Sequence, residues 1–219
     1  MNEIDFLNWV RGTGLQIATI IFVAGVIIRI LEIFLLGRKA NLAEAKGSEM
    51  KSGLRTIITR SVPLKTTFQR SALTVVTGFF LHISLFVVIV FFAPHIFFFK
   101  DVTGLYWPAL PTQIVDALTV IGIITLLVIL IRRMNDKVLR FLTNGEDLLV
   151  WFVTFAPLIT GYLAFHRTIL SGPTMIGIHI LSVELLMVVL PFTKLMHVFT
   201  VFLSRWYGGA ISGYRGVQS

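Results

Sequence analysis

Residues 175–203 read MIGIHILSVELLMVVLPFTKLMHVFTVFL, and this stretch decides how the rest of the chain is interpreted. It is apolar almost throughout, yet it holds two histidines, His179 and His197, and two charged side chains, Glu184 and Lys194. A helix needs about 20 mostly apolar residues to cross the hydrocarbon core of a bilayer. The stretch is therefore predicted to span a membrane, and its extra length predicts tilt, a kink or an overhang into the headgroups.

Four more stretches of the chain are apolar over a comparable length. They are residues 15–36, 72–99, 114–131 and 148–165, of which 72–99 is again longer than a bilayer needs. Of the 219 residues, 56% are hydrophobic and 14% are charged, whereas about a quarter of a soluble domain is charged. The predicted fold is all-α: one domain over residues 1–219, an integral membrane bundle of five transmembrane helices in contact with the lipid bilayer.

Basic residues are concentrated on one side of this predicted bundle. The loops after the first and third spans and the C-terminal tail hold fourteen Lys and Arg residues, whereas the N-terminus and the other two loops hold three. Because loops rich in Lys and Arg stay in the cytoplasm, we expect the N-terminus outside and the C-terminus cytoplasmic. The cytoplasmic loop at residues 37–70 is charged in both signs, and it fits either a solvated linker or a docking surface for a cytoplasmic partner.

Charge and cysteine content exclude several classes of function. The net charge of +8 is explained by the basic loops, and no basic patch is interleaved with aromatic residues, so no nucleic-acid partner is expected. The chain has no cysteine. This excludes a disulfide framework, a cysteine-ligated zinc site and an iron–sulfur cluster held by this chain alone.

Four of the five histidines lie inside predicted spans: His82, His95, His179 and His197. A histidine inside a membrane is costly unless it has a partner or a cofactor, so each is a candidate functional residue. A hydrogen bond to a neighbouring helix would explain one of them. In antiparallel spans, however, the four form two pairs at matching depths, with His95 and His179 near the outer surface and His82 and His197 toward the inside.

The spacing of the histidines bears on how their rings are directed. His179 and His197 are 18 residues apart, which is five turns of an ideal helix, so both rings would point from one face about 27 Å apart. His82 and His95 would be about 140° out of phase on an ideal helix. Pro94 removes one backbone hydrogen bond, and we expect a kink there to turn the ring of His95 toward its partner.

Two b-type haems, one near each membrane face, account for both pairs. Neutral imidazole is a good ligand for haem iron, and two facing helices can clamp the macrocycle in a bundle core. Zinc or copper would need ligands gathered at one depth. Two other interpretations stay open: a transporter whose histidines and Glu184 relay protons, and a haem-free subunit that anchors a partner.

Other ionisable residues are candidates for contacts with haem propionates, quinone or protons. Arg29 and Lys194 lie toward the cytoplasmic side, where each can snorkel to the surface or pair with a propionate, and Glu32 is placed to pair with Arg29. Glu184 fits a proton path or a hydrogen bond to a neighbouring helix. His166 lies at the outer end of the fourth span, as an interfacial residue or as a contact to quinone or propionate.

Two groups of motifs resemble a known family. The first is Met175-Ile-Gly-Ile-His179 followed by Pro191-Phe-Thr-Lys-Leu-Met-His197, and the second is Ile131-Arg-Arg, Leu139-Arg140 and Gly145-Glu-Asp147. With these motifs the chain resembles, over most of its length, the membrane gamma subunit of respiratory nitrate reductase and its di-haem cytochrome b relatives. The resemblance implies that the two histidines of the second span and the two of the fifth ligate the haems. It also implies a prokaryotic cytoplasmic (inner) membrane.

The pattern departs from the nitrate reductase subunit at two places. His82 and His95 are more widely spaced, which looks more like the cytochrome b subunits that work with heterodisulfide-reductase-like iron–sulfur proteins. The nitrate reductase subunit has a lysine, associated with its quinol site, shortly after a Leu-Pro at the start of its third helix. Here Leu110-Pro111 is followed by no such lysine, and Asp116 is the nearest ionisable group.

The resemblance implies an electron-transfer subunit of a respiratory oxidoreductase complex, which is not catalytic alone. A quinol such as menaquinol would be oxidised near His95 and His179, and its protons would leave to the outside. Its electrons would pass through the outer and the inner haem to a cytoplasmic iron–sulfur partner. The same arrangement run in reverse would reduce quinone.

Overall fold

The computed structural model describes residues 2–36, 42, 44–167 and 169–217. Within these ranges the chain consists of helices joined by turns and loops, with no strand. The helices in chain order are α1 (Glu3–Trp9), α2 (Leu15–Leu35), α3 (Glu49–Thr59), α4 (Lys65–Phe91), α5 (Ala93–Thr103), α6 (Thr112–Asn135), α7 (Lys137–Leu142), α8 (Gly145–His166), α9 (Gly172–Val189) and α10 (His197–Tyr214). The all-α prediction is therefore confirmed for the described residues.

Five helical stretches of the described chain are long and apolar enough to cross a membrane: Glu3–Leu35, Lys65–Phe91, Thr112–Asn135, Gly145–His166 and Gly172–Phe192. The first joins α1 and α2 through a π-helical turn. Between 6% and 28% of each apolar window is buried inside the protein, so most of its side chains face outward. An outward apolar surface of this extent is stable in lipid and not in water. This is the organisation of a multi-pass membrane protein.

The second span is interrupted where a kink was expected. Helix α4 ends at Phe91, Phe92 is extended (φ −80°, ψ 126°), and α5 begins at Ala93 with Pro94 in its first turn. A proline is tolerated there because the first backbone N–H groups of a helix have no acceptor within it. The interruption places His95 in the first turn of a new helix.

The fifth span is also interrupted, and here the prediction of one helix over residues 175–203 is wrong. Helix α9 ends at Val189, and Pro191 lies in a short 3₁₀ turn. Thr193 is extended (φ −129°, ψ −179°), and a second 3₁₀ turn precedes α10 at His197. The expectation that His179 and His197 point from one helix face assumed five unbroken turns, so it fails at this interruption.

The chain divides into two compact units. The first comprises Met1–Thr19 and Leu73–Val188, and the second comprises Ile20–Ala72 and Val189–Ser219. In the first unit α6 packs against α8, and the indole Nε1 of Trp151 donates to the carbonyl oxygen of Leu126 at 2.8 Å. The connection into α8 is held by an ion pair of 2.9 Å between Arg133 and Asp147, within the stretch whose motifs carried the family resemblance.

In the second unit α3 packs along α10 through small residues. Gly53 lies against the indole of Trp206, and Gly209 lies against Thr56. Glycines let two helix backbones approach closely, which is how helices in membranes commonly pack. Residues 37–41 and 43 of the predicted cytoplasmic loop lie outside the described residues. The interpretation of this loop as a plain solvated linker does not hold for residues 49–59, because they form a helix that packs on α10.

We expect Gly209→Val to separate α3 from α10. A Cβ at Gly209 would overlap the side chain of Thr56, whereas a Cβ at Gly208 would meet nothing within 4 Å. Overpacking of this kind costs about 1–3 kcal/mol. Tryptic cleavage after Lys51 and Arg55 should therefore become faster in Gly209→Val and stay unchanged in Gly208→Val. Equal cleavage in the two variants would contradict the packing.

Candidate functional site

Two of the predicted haem ligands face each other in the first unit. The ring centroids of His95 on α5 and His179 on α9 are 6.2 Å apart, and their planes are within 17° of parallel. An imidazole nitrogen binds a metal ion at about 2 Å, so two rings on one ion have centroids about 6 Å apart. The pair therefore has the separation that two axial ligands of one metal ion need.

The second ring nitrogen of each histidine is held by the protein. His95 Nδ1 contacts the carbonyl oxygen of Val88 at 2.8 Å. His179 Nδ1 contacts Thr160 Oγ1 at 3.2 Å, and that hydroxyl donates to the carbonyl oxygen of Ala156 at 2.6 Å. Both contact oxygens therefore act as acceptors, and Nδ1 carries the proton in both rings. A neutral imidazole in this form has its lone pair on Nε2, the arrangement that metal-bound histidines use.

His82 and His197 make the same type of contact. His82 Nδ1 donates to the carbonyl oxygen of Gly78 at 2.7 Å, in the first unit. His197 Nδ1 donates to the carbonyl oxygen of Lys194 at 2.8 Å, in the second unit. All four predicted ligands thus share one tautomer. The pairing of His82 with His197 stays a prediction.

His166 differs from these four histidines. Its Nε2 lies 2.9 Å and 3.1 Å from the two carboxylate oxygens of Asp116, so Nε2 carries the proton. The sequence pointed to these two residues separately, and the structure brings them together. Each side chain is 33% exposed. Both side chains are therefore partly accessible from outside the protein.

Aromatic rings connect this hydrogen-bonded pair to the facing histidines. Phe92, at the interruption before α5, contacts the rings of His95 and Phe165, each with centroids 5.3 Å apart. Phe165 precedes His166 and touches its ring. The interruption also leaves carbonyl groups at the end of α4 for outside donors: Trp107 Nε1 donates to the carbonyl oxygen of Val90 at 2.8 Å.

Sequence reasoning missed Thr160 and Gly161 on α8. A Cβ at Gly161 would lie 2.9 Å from Cε1 of His179, so the imidazole ring can rest on α8 only because this residue is glycine. Thr160 supplies the acceptor for the same ring. A threonine and a glycine inside an apolar span carry no signal of their own, because their role depends on a contact with a distant helix.

The remaining candidates take separate positions. Arg29 pairs with Glu32 at 2.8 Å, as predicted, and its Nε donates to the carbonyl oxygen of Pro191 at 3.3 Å, next to the interruption that precedes α10. Lys194 lies in the 3₁₀ turn whose carbonyl group accepts from His197. Glu184 is buried in the first unit, with no hydrogen-bond partner for Oε1 among the described residues.

No group of three or more His, Asp or Glu side chains within the described ranges is placed to hold a metal ion. Zinc sites commonly take three or four protein ligands. Haem iron takes its equatorial ligands from the porphyrin and needs at most two from the protein. The pair formed by His95 and His179 suits the second kind of centre.

A comparison with known proteins identifies a relative. A curated protein of Nitratidesulfovibrio vulgaris (strain Hildenborough), named only "Protein", is 36% identical over 168 residues, which cover 76% of this chain and 72% of the relative. The chain belongs to the same family as that protein. No protein-family model and no solved structure matches the chain.

The tautomers can be tested by ¹⁵N NMR of histidine-labelled protein, reduced so that any low-spin haem iron is diamagnetic. We expect the ring proton on Nδ1 in His82, His95, His179 and His197 and on Nε2 in His166, because carbonyl, hydroxyl and carboxylate oxygens accept these protons. Thr160→Val should alter the signals of His179 and leave those of His95 unchanged. A proton on Nε2 of His95 would contradict the site.

Proposed function

We propose that this protein is the di-haem cytochrome b subunit of a respiratory oxidoreductase complex. It would transfer electrons between membrane quinol and a cytoplasmic iron–sulfur protein. The observation that carries the proposal is the pair of facing imidazoles of His95 and His179, 6.2 Å apart, each with Nδ1 bonded to a protein acceptor. Two helices that hold imidazoles in this way fit the axial ligation of a b-type haem.

The chain's own residues would do the positioning. Val88 and Thr160 fix the two imidazoles in the tautomer that iron requires, and Gly161 leaves room for the ring of His179. Haem would be held by His95 and His179, and when bound it would supply a one-electron carrier. The surrounding apolar helices exclude water, which strengthens electrostatic interactions and helps set the reduction potential.

We assign the second haem to His82 and His197. Support comes from their Nδ1 contacts, which match those of the outer pair, and from the resemblance to di-haem cytochromes. Arg29 and Lys194 are proposed to face the propionates of this haem, since basic residues toward the cytoplasmic side suit carboxylate groups.

The distribution of basic residues supports an N-terminus outside and a C-terminus in the cytoplasm, and the family resemblance implies a prokaryotic inner membrane. In this orientation quinol would be oxidised on the outer side, releasing two protons outward and two electrons inward. We propose that the partly exposed pair of His166 and Asp116 passes protons outward. Moving one charge through the membrane is worth about 2.3 kcal/mol per 100 mV, so the direction of electron flow has an energetic consequence.

The partner is proposed from what this chain lacks. The chain has no cysteine and therefore holds no iron–sulfur cluster by thiolates. The wide spacing of His82 and His95 resembles the cytochromes that work with heterodisulfide-reductase-like iron–sulfur proteins, and we propose a partner of that class.

The reduced-minus-oxidised spectrum of the purified protein tests the proposal. We expect b-type haem bands at about two haems per chain, and about half that absorbance in His179→Ala, because one axial ligand is lost. His166→Ala is the matched control and should keep both haems, since its ring is bonded to Asp116. A colourless preparation would favour a proton-coupled transporter or a haem-free anchor instead.

Substitution of Gly161 tests the outer pair without removing a ligand. In Gly161→Val the new side chain would overlap His179, and we expect loss of the outer haem with the inner haem retained. Gly145→Val in the same helix should leave both haems bound, because a Cβ there meets nothing within 4 Å. Full haem content in Gly161→Val would show that the ring of His179 is not required in its observed position.

A further inference from the structure

A cavity of about 620 Å³ lies in the first unit, among the N-terminal part of the first span, α8 and α9. Its lining is mostly apolar and includes Trp9, Ile17, Phe152 and Leu181. These four side chains are also partly exposed at the surface of the protein. Pockets that bind small molecules in proteins usually measure about 300–1,000 Å³. The cavity is therefore large enough for an aromatic ring system and open to the lipid side.

One acidic side chain lines this apolar cavity. Glu184 is 5% exposed, and its Oε1 has no hydrogen-bond partner in the described part of the chain. Gly14 lies on the other side of the carboxylate, where a Cβ would be 3.0 Å from Oε2. A buried polar group without a partner is unfavourable, so this carboxylate is placed to accept a hydrogen bond from a molecule in the cavity.

Two hydroxyl groups also line the cavity, and both already donate to the backbone. Thr160 donates to the carbonyl oxygen of Ala156, and Ser182 donates to that of His179, each at 2.6 Å. Thr160 is the residue that accepts from His179 Nδ1. Thr160 therefore both lines the cavity and contacts His179, the proposed outer haem ligand. An occupant of the cavity would lie close to the haem site.

We propose that this cavity binds the ring of a membrane quinol, and that Glu184 accepts a hydrogen bond from a ring hydroxyl group. The apolar lining suits the aromatic ring and the start of its isoprenoid tail. A phospholipid acyl chain would fill the same space but has no donor for Glu184. The inference rests on the proposed function for the use of the quinol, and it locates the quinol at α8 and α9.

Asp116 is the alternative position for the quinol, suggested by its place at the start of the third span. Its carboxylate is already bonded to His166. Glu184 lies in an apolar cavity with one carboxylate oxygen unbonded to any described residue. A hydroxyl donor therefore gains more by binding at Glu184.

Binding of 2-methyl-1,4-naphthoquinol tests the inference. The full-length protein is placed in phosphatidylcholine nanodiscs free of quinone, and the naphthoquinol is kept reduced under anaerobic conditions. Quenching of Trp9 fluorescence reports binding, because this residue lines the cavity, and Trp9→Phe identifies the signal of the other tryptophans. We expect Glu184→Leu to weaken binding about ten-fold, the effect of losing one buried hydrogen bond.

Two more variants serve as a cavity block and a matched control. Ala156→Phe should abolish binding by filling the cavity, and Glu146→Leu, a glutamate outside the cavity lining, should bind as the wild type does. The haem spectrum and the melting temperature report folding. Glu184→Leu should melt at or above the wild-type temperature, because it removes a buried carboxylate without a bonded partner at Oε1. If Glu184 had a purely structural role, the substitution would lower the melting temperature.

The outcomes separate this inference from the proposed function. The inference is overturned if Glu184→Leu binds the naphthoquinol with wild-type affinity. This includes the case in which only Ala156→Phe weakens binding, which would mean that the cavity holds apolar chains alone. Two haems per chain without binding at the cavity would leave the proposed function standing and remove the quinol from this site. A colourless protein that binds the naphthoquinol through Glu184 would contradict the proposed function and support the quinol site.

Discussion

The absence of water in a bilayer core is the constraint on which this structure depends. Each buried backbone group must find its hydrogen bond inside the protein, so the chain crosses the membrane as helices. The same constraint acts on the imidazoles. The Nδ1 atoms of His82, His95 and His197 donate to backbone carbonyl groups, and that of His179 donates to Thr160. The contacts that satisfy these polar rings also place the lone pair on the other nitrogen.

The interruptions of the second and fifth predicted spans position two of the candidate ligands. Helix α5 begins after the extended Phe92 and has Pro94 and His95 in its first turn, and α10 begins at His197 after a break that contains Pro191. A break releases carbonyl groups from helical bonding. Trp107 and Arg29 donate to carbonyl groups beside the two breaks, which stabilises each irregular segment. Loss of helical regularity thus positions two candidate ligands.

The first unit combines two kinds of environment. The facing rings of His95 and His179 lie between apolar helices, which suits a buried cofactor. The hydrogen-bonded pair of His166 and Asp116 is partly exposed. In the same unit Glu184 keeps a polar group inside an apolar cavity. Burial of a carboxyl oxygen without a hydrogen bond is unfavourable, and a ligand that donates the missing hydrogen bond would remove this cost.

The sequence by itself determined the number and approximate position of the five spans, because a run of about 20 apolar residues identifies a membrane helix by composition alone. It also predicted the kink at Pro94 and the pair of Arg29 and Glu32, since both follow from local spacing. Only the tertiary structure decided that Thr160 holds His179, that Asp116 pairs with His166 and that α3 packs on α10. These contacts join segments far apart in the chain, and no local pattern records which residues will meet. The break at Thr193 was not predicted, because the five-turn spacing of His179 and His197 assumed a continuous helix through Pro191.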